Sequence, residues 1–202
     1  MADFVRDQLA ATLSVLKQFA EDGAALRQVA EMGSVCAARL AEGNKVLIAG
    51  NGGSAADSQH IAAEFVGRLA VERRPLPAIA LTTDTSILTA IGNDYGFEHV
   101  FERQVRALGM PGDVFIGIST SGRSPNILRA FSAAREKGII TMGLTGAGAD
   151  LIPFCDHLVC VPSKDTQRIQ EMHAVIGHII CAIAEQSCVT QGASAPSVGR
   201  SQ

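Results

Sequence analysis

Val46-Leu-Ile-Ala-Gly-Asn-Gly-Gly-Ser-Ala-Ala-Asp-Ser-Gln-His-Ile-Ala-Ala-Glu-Phe-Val-Gly-Arg68 is the stretch whose reading decides the fold. Its apolar start, Val46 to Ala49, lies between a lysine and a glycine and predicts a short buried strand. Gly50-Asn51-Gly52-Gly53 then breaks the strand, because missing β-carbons permit positive φ and let a ligand approach the backbone. Ser54 is placed to cap a following helix by accepting from an unpaired amide. On that helix His60 and Glu64 are four residues apart, so they share one face. A strand, a glycine loop at a helix N-terminus, and an imidazole beside a carboxylate make one compact chemical unit.

Outward from this unit, apolar runs alternate with helical patterns. Residues 3–22 and 24–42 each carry apolar positions at helical spacing, with Asp22-Gly23 between them. They predict a helical pair that packs and self-associates. Further strands are predicted at Ala78–Leu81, Asp113–Ile118, Ile139–Leu144 and His157–Val161. A short helix is expected near 86–92, interrupted by Gly92-Asn93-Asp94-Tyr95-Gly96, with another running through Val105 to Leu108. Pro125 suits the first turn of a helix that stops at Lys137-Gly138, and a last helix spans about 166–188. This order gives an α/β fold, a five-stranded parallel sheet covered by helices on both sides. Polar loops follow the C-terminal ends of strands one to four, the edge where open α/β sheets bind ligands. The expected organisation is a helical pair over 1–43, an α/β domain over 44–190 and a disordered tail over 191–202.

Composition narrows the function classes. The 202 residues are 47% hydrophobic and 18% charged, with a net charge of −3, so no basic excess points to nucleic acid. Trp is absent and aromatics are scarce, against a base-stacking platform. No apolar run reads as long enough to cross a bilayer, and the N-terminus lacks a secretory apolar region, so no membrane partner is expected. The five cysteines form no C-x-x-C pair, which fits reduced thiols, small core residues and a cytoplasmic protein.

Three further groups carry chemistry. Ser119-Thr120-Ser121-Gly122-Arg123-Ser124 offers four hydroxyls in six residues before a helix, more than one cap requires, and is the phosphate candidate. It is neither a Walker loop nor G-x-G-x-x-G. His60 with Glu64 fits a metal pair, an acid/base pair or a surface contact. The last helix holds Arg168, Gln170, Glu171, His173 and His178 around an apolar stripe. His178 lies opposite that stripe, whereas His173 lies close to it and reads as core or as support for a ligand. Gln170 and His178 are eight residues apart, about 12 Å and about 80° round on a straight helix. Reaching one ion from both therefore needs a distorted helix or a neighbouring subunit. Spacing alone would pair Gln170 with His173.

Taken together, Gly50–Ser54, His60 with Glu64, Leu76–Leu81, Asn93-Asp94, Ser119–Ser124 and Arg168–His173 with His178 resemble the phosphoheptose isomerases of the sugar isomerase (SIS) domain superfamily. The resemblance covers nearly the whole chain. It implies a flavodoxin-like SIS fold and interconversion of sedoheptulose 7-phosphate with D-glycero-D-manno-heptose 7-phosphate for bacterial surface glycans. It also implies a homotetramer with sites at subunit interfaces. His60, Glu64, Gln170 and His178 then match ligands of one zinc ion per subunit, and Glu64 and His178 the acid/base pair. Asn51, Gly52, Gly53, Glu64, Asn93, Asp94 and Gln170 match substrate contacts, and Ser119, Thr120, Ser121 and Ser124 a phosphate cradle. Arg123 stands where the family often has asparagine, and Gln167 at a position where some relatives carry an acid. Two rivals come from other classes. A non-catalytic SIS-domain adaptor that binds the bacterial replication initiator shares the loops but lacks the acid/base pair. A sugar-phosphate-sensing regulator would add a DNA-binding module.

Overall fold

The structure is a computed structural model that describes residues 1–148 and 150–193, with side chains described through Thr190. Two long helices come first, α1 (Ala2–Glu21) and α2 (Gly23–Ala41). The Asp22 carboxylate between them accepts from the amides of Ala24 and Ala25, so the hinge is itself the cap of α2. The alternating part follows as β1 (Val46–Gly50), α3 (Gly53–Val66), β2 (Ala78–Ala80), α4 (Thr85–Tyr95) and α5 (Glu102–Leu108). It closes with β3 (Val114–Ser119), α6 (Pro125–Glu136), β4 (Ile140–Thr145), β5 (His157–Cys160) and α7 (Thr166–Ala193).

All strand pairings are parallel, in the order β2-β1-β3-β4-β5. Val46 pairs with Ala78 on one side and Val114 on the other, which makes β1 a central strand buried along its whole length. Its alternation divides the core. Val46 and Ile48 face the layer of α1, α2, α3 and α7, while Leu47 and Ala49 face α5 and α6. Each large apolar side chain so buried contributes roughly 1.5–3 kcal/mol. The chain leaves β1 in opposite directions toward β2 and β3, so the crevice for ligands opens between the loops after β1 and β3.

Five sequence expectations shift. Gly92 does not interrupt its helix. α4 runs through Asn93 and Asp94 to Tyr95 and stops at Gly96, whose φ of 95° only glycine adopts readily. Ser54 does not cap α3, which starts one residue earlier. Gly52, at φ 56°, turns the chain so that the carbonyls of Asn51 and Gly52 accept from the amides of residues 54 to 56. Residues 166–190 of α7 are long and apolar enough to cross a bilayer by length and composition, although no such run was expected. One side of that helix is spent instead against α2 and α3, through Ile169, Met172, Ile176, Ile180 and Ala184. Of the cysteines, Cys36 and Cys181 are core residues, but Cys160 is exposed. α7 extends to Ala193, and the rest of the expected tail lies outside the described residues.

Candidate active site

Local backbone physics builds the first half of the site. The glycine turn at Gly52 starts α3 at the C-terminal edge of the sheet, and α3 then carries His60 and Glu64 along one face. Gly53 leaves room for a close approach, since a β-carbon there would sit 2.5 Å from Nε2 of Gln170 and displace that side chain. α7 is thus docked against the glycine loop by Gln170, while His178 reaches α3 two turns further on.

His60, Glu64 and His178 converge. Nε2 of His60 lies 2.8 Å from Nε2 of His178 and 3.6 Å from Oε1 of Glu64. The two rings meet edge to face at 77°. The His60 side chain is half exposed and the Glu64 carboxylate largely covered, so the cluster opens to one side. One donor atom from each residue lies within 4.8 Å of the others. Two histidine nitrogens and a carboxylate oxygen are the donors zinc favours, and tetrahedral ligands about 2.0–2.2 Å from the ion stand about 3.3 Å apart. The donor set fits such an ion after the imidazole nitrogens part by about half an ångström. Gln170, at Gly53, is the amide oxygen on the same helix, and α7 is a single continuous helix between it and His178.

His173, the partner that spacing favours for Gln170, is fully buried in the layer beneath. Its Nε2 lies 3.3 Å from the carbonyl of Thr145 at the end of β4, and burial pushes its pKa down to about 4. It supports α7 from inside the core.

The hydroxyl loop forms the other side of the crevice. Ser119 ends β3, and its Oγ lies 3.0 Å from Oγ of Ser124. Ser124 precedes α6 without its side chain capping that helix, so its hydroxyl is held beside Ser119 rather than by the helix amides. Thr120 and Ser121 line a cavity of about 410 Å³ together with Arg123, Ser163 and Lys164. Arg123 approaches Asp150 at 4.0 Å, so its charge there is partly offset.

Asn51 and Asn126 join the two loops. Each amide donates to the other's oxygen, at 2.9 and 2.8 Å. Asn126 is 3% exposed and was not singled out from sequence. It follows Pro125 in the first helical turn, and only its polar type in a buried place distinguishes it. Asn93 and Asp94 hydrogen-bond to each other on the exposed last turn of α4 rather than to the glycine loop. Beyond them Phe97 and Glu98 line a cavity of about 270 Å³ with Asn51, Ser124 and Asn126.

Known proteins resemble this arrangement closely. The SIS domain family pattern matches residues 9–146. The phosphoheptose isomerase of Aneurinibacillus thermoaerophilus is 54% identical over 188 residues, covering 93% of this chain and 95% of that protein. The phosphoheptose isomerase structure from Neisseria gonorrhoeae superposes with a TM-score of 0.82 at 43% identity, covering 92% of this chain and 98% of the other. The one from Francisella tularensis does so with a TM-score of 0.85 at 36% identity and the same coverage.

Proposed function

Since this chain belongs to the phosphoheptose isomerases of the SIS domain family, we propose that His60, Glu64 and His178 are the centre of its aldose–ketose isomerisation. The reaction interconverts sedoheptulose 7-phosphate and D-glycero-D-manno-heptose 7-phosphate in heptose biosynthesis. One observation carries the site assignment. A carboxylate and two imidazoles, the latter 118 residues apart in sequence, bring their donor atoms within 4.8 Å of one another on the ligand-binding edge of the sheet.

In the ketose direction Glu64 takes a proton from C1 while His178 gives one to the oxygen on C2, forming an enediol. His178 then takes the proton from the oxygen on C1, and Glu64 returns one to C2, which leaves the aldose. No electrons leave the substrate. Such transfers need a base and an acid placed on opposite sides of C1–C2, and a carboxylate and an imidazole are side chains that can take those parts. Ser119, Thr120, Ser121 and Ser124 hold the phosphate at the far end, so that binding aligns the reacting carbons. Asn51, Gly52, Gly53, Asn93, Asp94 and Gln170 complete the substrate contacts. His60, Glu64 and His178 would hold one zinc ion, with a Gln170 completing the set from a neighbouring subunit because the unbroken α7 keeps the chain's own Gln170 about 12 Å along from His178. The ion would supply positive charge to polarise the substrate oxygens.

The apolar surface of α1 supports self-association. Phe4, Val5, Leu9 and Leu13 are all more than half exposed on that helix. A continuous apolar face of this kind is the mark of an interface, and we assign it to a homotetramer working in the cytoplasm. The test is turnover of sedoheptulose 7-phosphate by the parent beside Glu64→Gln and His178→Gln. A fully active Glu64→Gln removes the base assignment, and an inactive parent favours the adaptor.

A further inference from the structure

Arg73 and Glu185 are both buried, with 4% of each side chain exposed, and they lie outside the reacting cluster. Nε of Arg73 is 3.3 Å from Oε1 of Glu185, an ion pair without an aligned hydrogen bond. The rest of the guanidinium is spent on backbone. Nη2 donates to the carbonyl of Glu64 at 2.7 Å, and Nη1 to those of Phe65, Gly67 and Arg74 at 2.9, 3.2 and 3.0 Å. The last carbonyls of a helix have no partner of their own, so Arg73 caps α3 at the very turn that bears Glu64. Glu185 is as fully committed. Its oxygens accept from the amides of Leu69, Ala70 and Val71 at 3.0, 2.9 and 3.1 Å. Burial alone would raise its pKa, but these amides and the guanidinium hold it below the usual range.

Glu185 stands seven residues after His178 on α7, about 10 Å along and within about 20° of the same face. One face of α7 therefore presents His178 to α3 and, two turns on, grips the loop leaving α3. We propose that Arg73 and Glu185 are positioning residues, a clasp that sets Glu64 against His178. The proposal rests on the assignment of Glu64 and His178 as the acid/base pair. The phosphate cradle is built on β3 and α6, elements the clasp does not touch. Loosening the clasp should thus disturb proton transfer and leave phosphate binding alone. A displacement of about 1 Å at a reacting group can cost about a hundredfold in rate.

The test compares Glu185→Gln and Arg73→Lys with the parent. Glu185→Gln keeps the size but not the charge, and Arg73→Lys keeps the charge but not the fork. Steady-state turnover of sedoheptulose 7-phosphate is read with inhibition by inorganic phosphate and with amide hydrogen exchange. The expected result is a fall in kcat of about tenfold or more, with KM and the phosphate inhibition constant within about twofold. Exchange should speed up in residues 60–73 and stay unchanged in 114–130. An active parent with variants of equal kcat overturns the clasp alone. So does a loss in which phosphate affinity and exchange collapse everywhere, because that is a merely structural role. A parent inactive on the sugar phosphate overturns the isomerase assignment and the clasp with it.

Discussion

Nε2 of His60 faces Nε2 of His178 across 2.8 Å. At that distance both nitrogens cannot carry a hydrogen toward the other. Either one donates and the other accepts, or both offer lone pairs to a cation. Glu64, at 3.6 Å from His60, adds a carboxylate oxygen to the same cluster, the third donor such a cation would need.

Zinc should therefore bind the parent at one ion per chain, and His60→Ala or His178→Ala should weaken binding at least tenfold. Equilibrium dialysis after chelation measures this directly. Unchanged stoichiometry and affinity in both variants would place the ion elsewhere.

Removing the Ser124 hydroxyl takes one partner from the Ser119–Ser124 pair and one donor from the cradle. A hydrogen bond to a charged group is worth about 1.5–3 kcal/mol. Ser124→Ala should raise KM for the sugar phosphate about tenfold or more while kcat changes little. Arg123→Ser should shift KM by only about twofold, since Arg123 is exposed and lies near Asp150. A Ser124→Ala enzyme with parental KM would move the phosphate off this loop.

His173 gives the fold an acid sensitivity. Its folded pKa of about 4 lies below the ordinary 6.5. Above pH 6.5 both folded and unfolded states are neutral, and stability is complete. Between 6.5 and 4 the unfolded chain binds the proton and the folded one does not, so stability falls with pH. Below 4 the loss levels off at roughly 3 kcal/mol. Glu185 and Asp113, whose pKa values are held low, lose their contributions only as pH drops below the ordinary carboxylate range. Urea unfolding at pH 5 to 7 should show a positive slope of stability with pH that His173→Gln flattens. Equal slopes in the two proteins would mean that His173 is not the source.

Leu9 and Leu13 test the assembly. Both are over 60% exposed in the single chain, where charging them would alter stability by no more than about 0.5 kcal/mol. In an oligomer the double variant Leu9→Asp, Leu13→Asp should sediment as a smaller species. Sedimentation unchanged from the parent would assign the contact to another surface.

The sheet was legible because its strands are short apolar runs ended by glycine or polar turns, and each lies within a residue or two of its expected place. Gly92 misled because a glycine inside a helix costs only about 1 kcal/mol, and the left-handed Gly96 is the real stop. His60 and Glu64 were visible from spacing. His178 came from the family pattern, since helical spacing alone pairs Gln170 with His173, which the core absorbs. Asn126, Arg73 and Glu185 were invisible for a common reason. Each is a single polar residue in an ordinary local context, and its partner lies 75 to 116 positions away.

α7 works as a ruler. From Gly53's neighbour Gln170 to His178 and on to Glu185, each contact sits at a fixed count of residues along one uninterrupted rod. Deleting or inserting one residue between them would turn everything beyond it by about 100°. His178 would then face away from α3 even though every side chain was still present. Change along this rod can therefore come only by replacing letters, never by altering their number. Variation in length is left to the connections between strands and helices that the clasp does not hold.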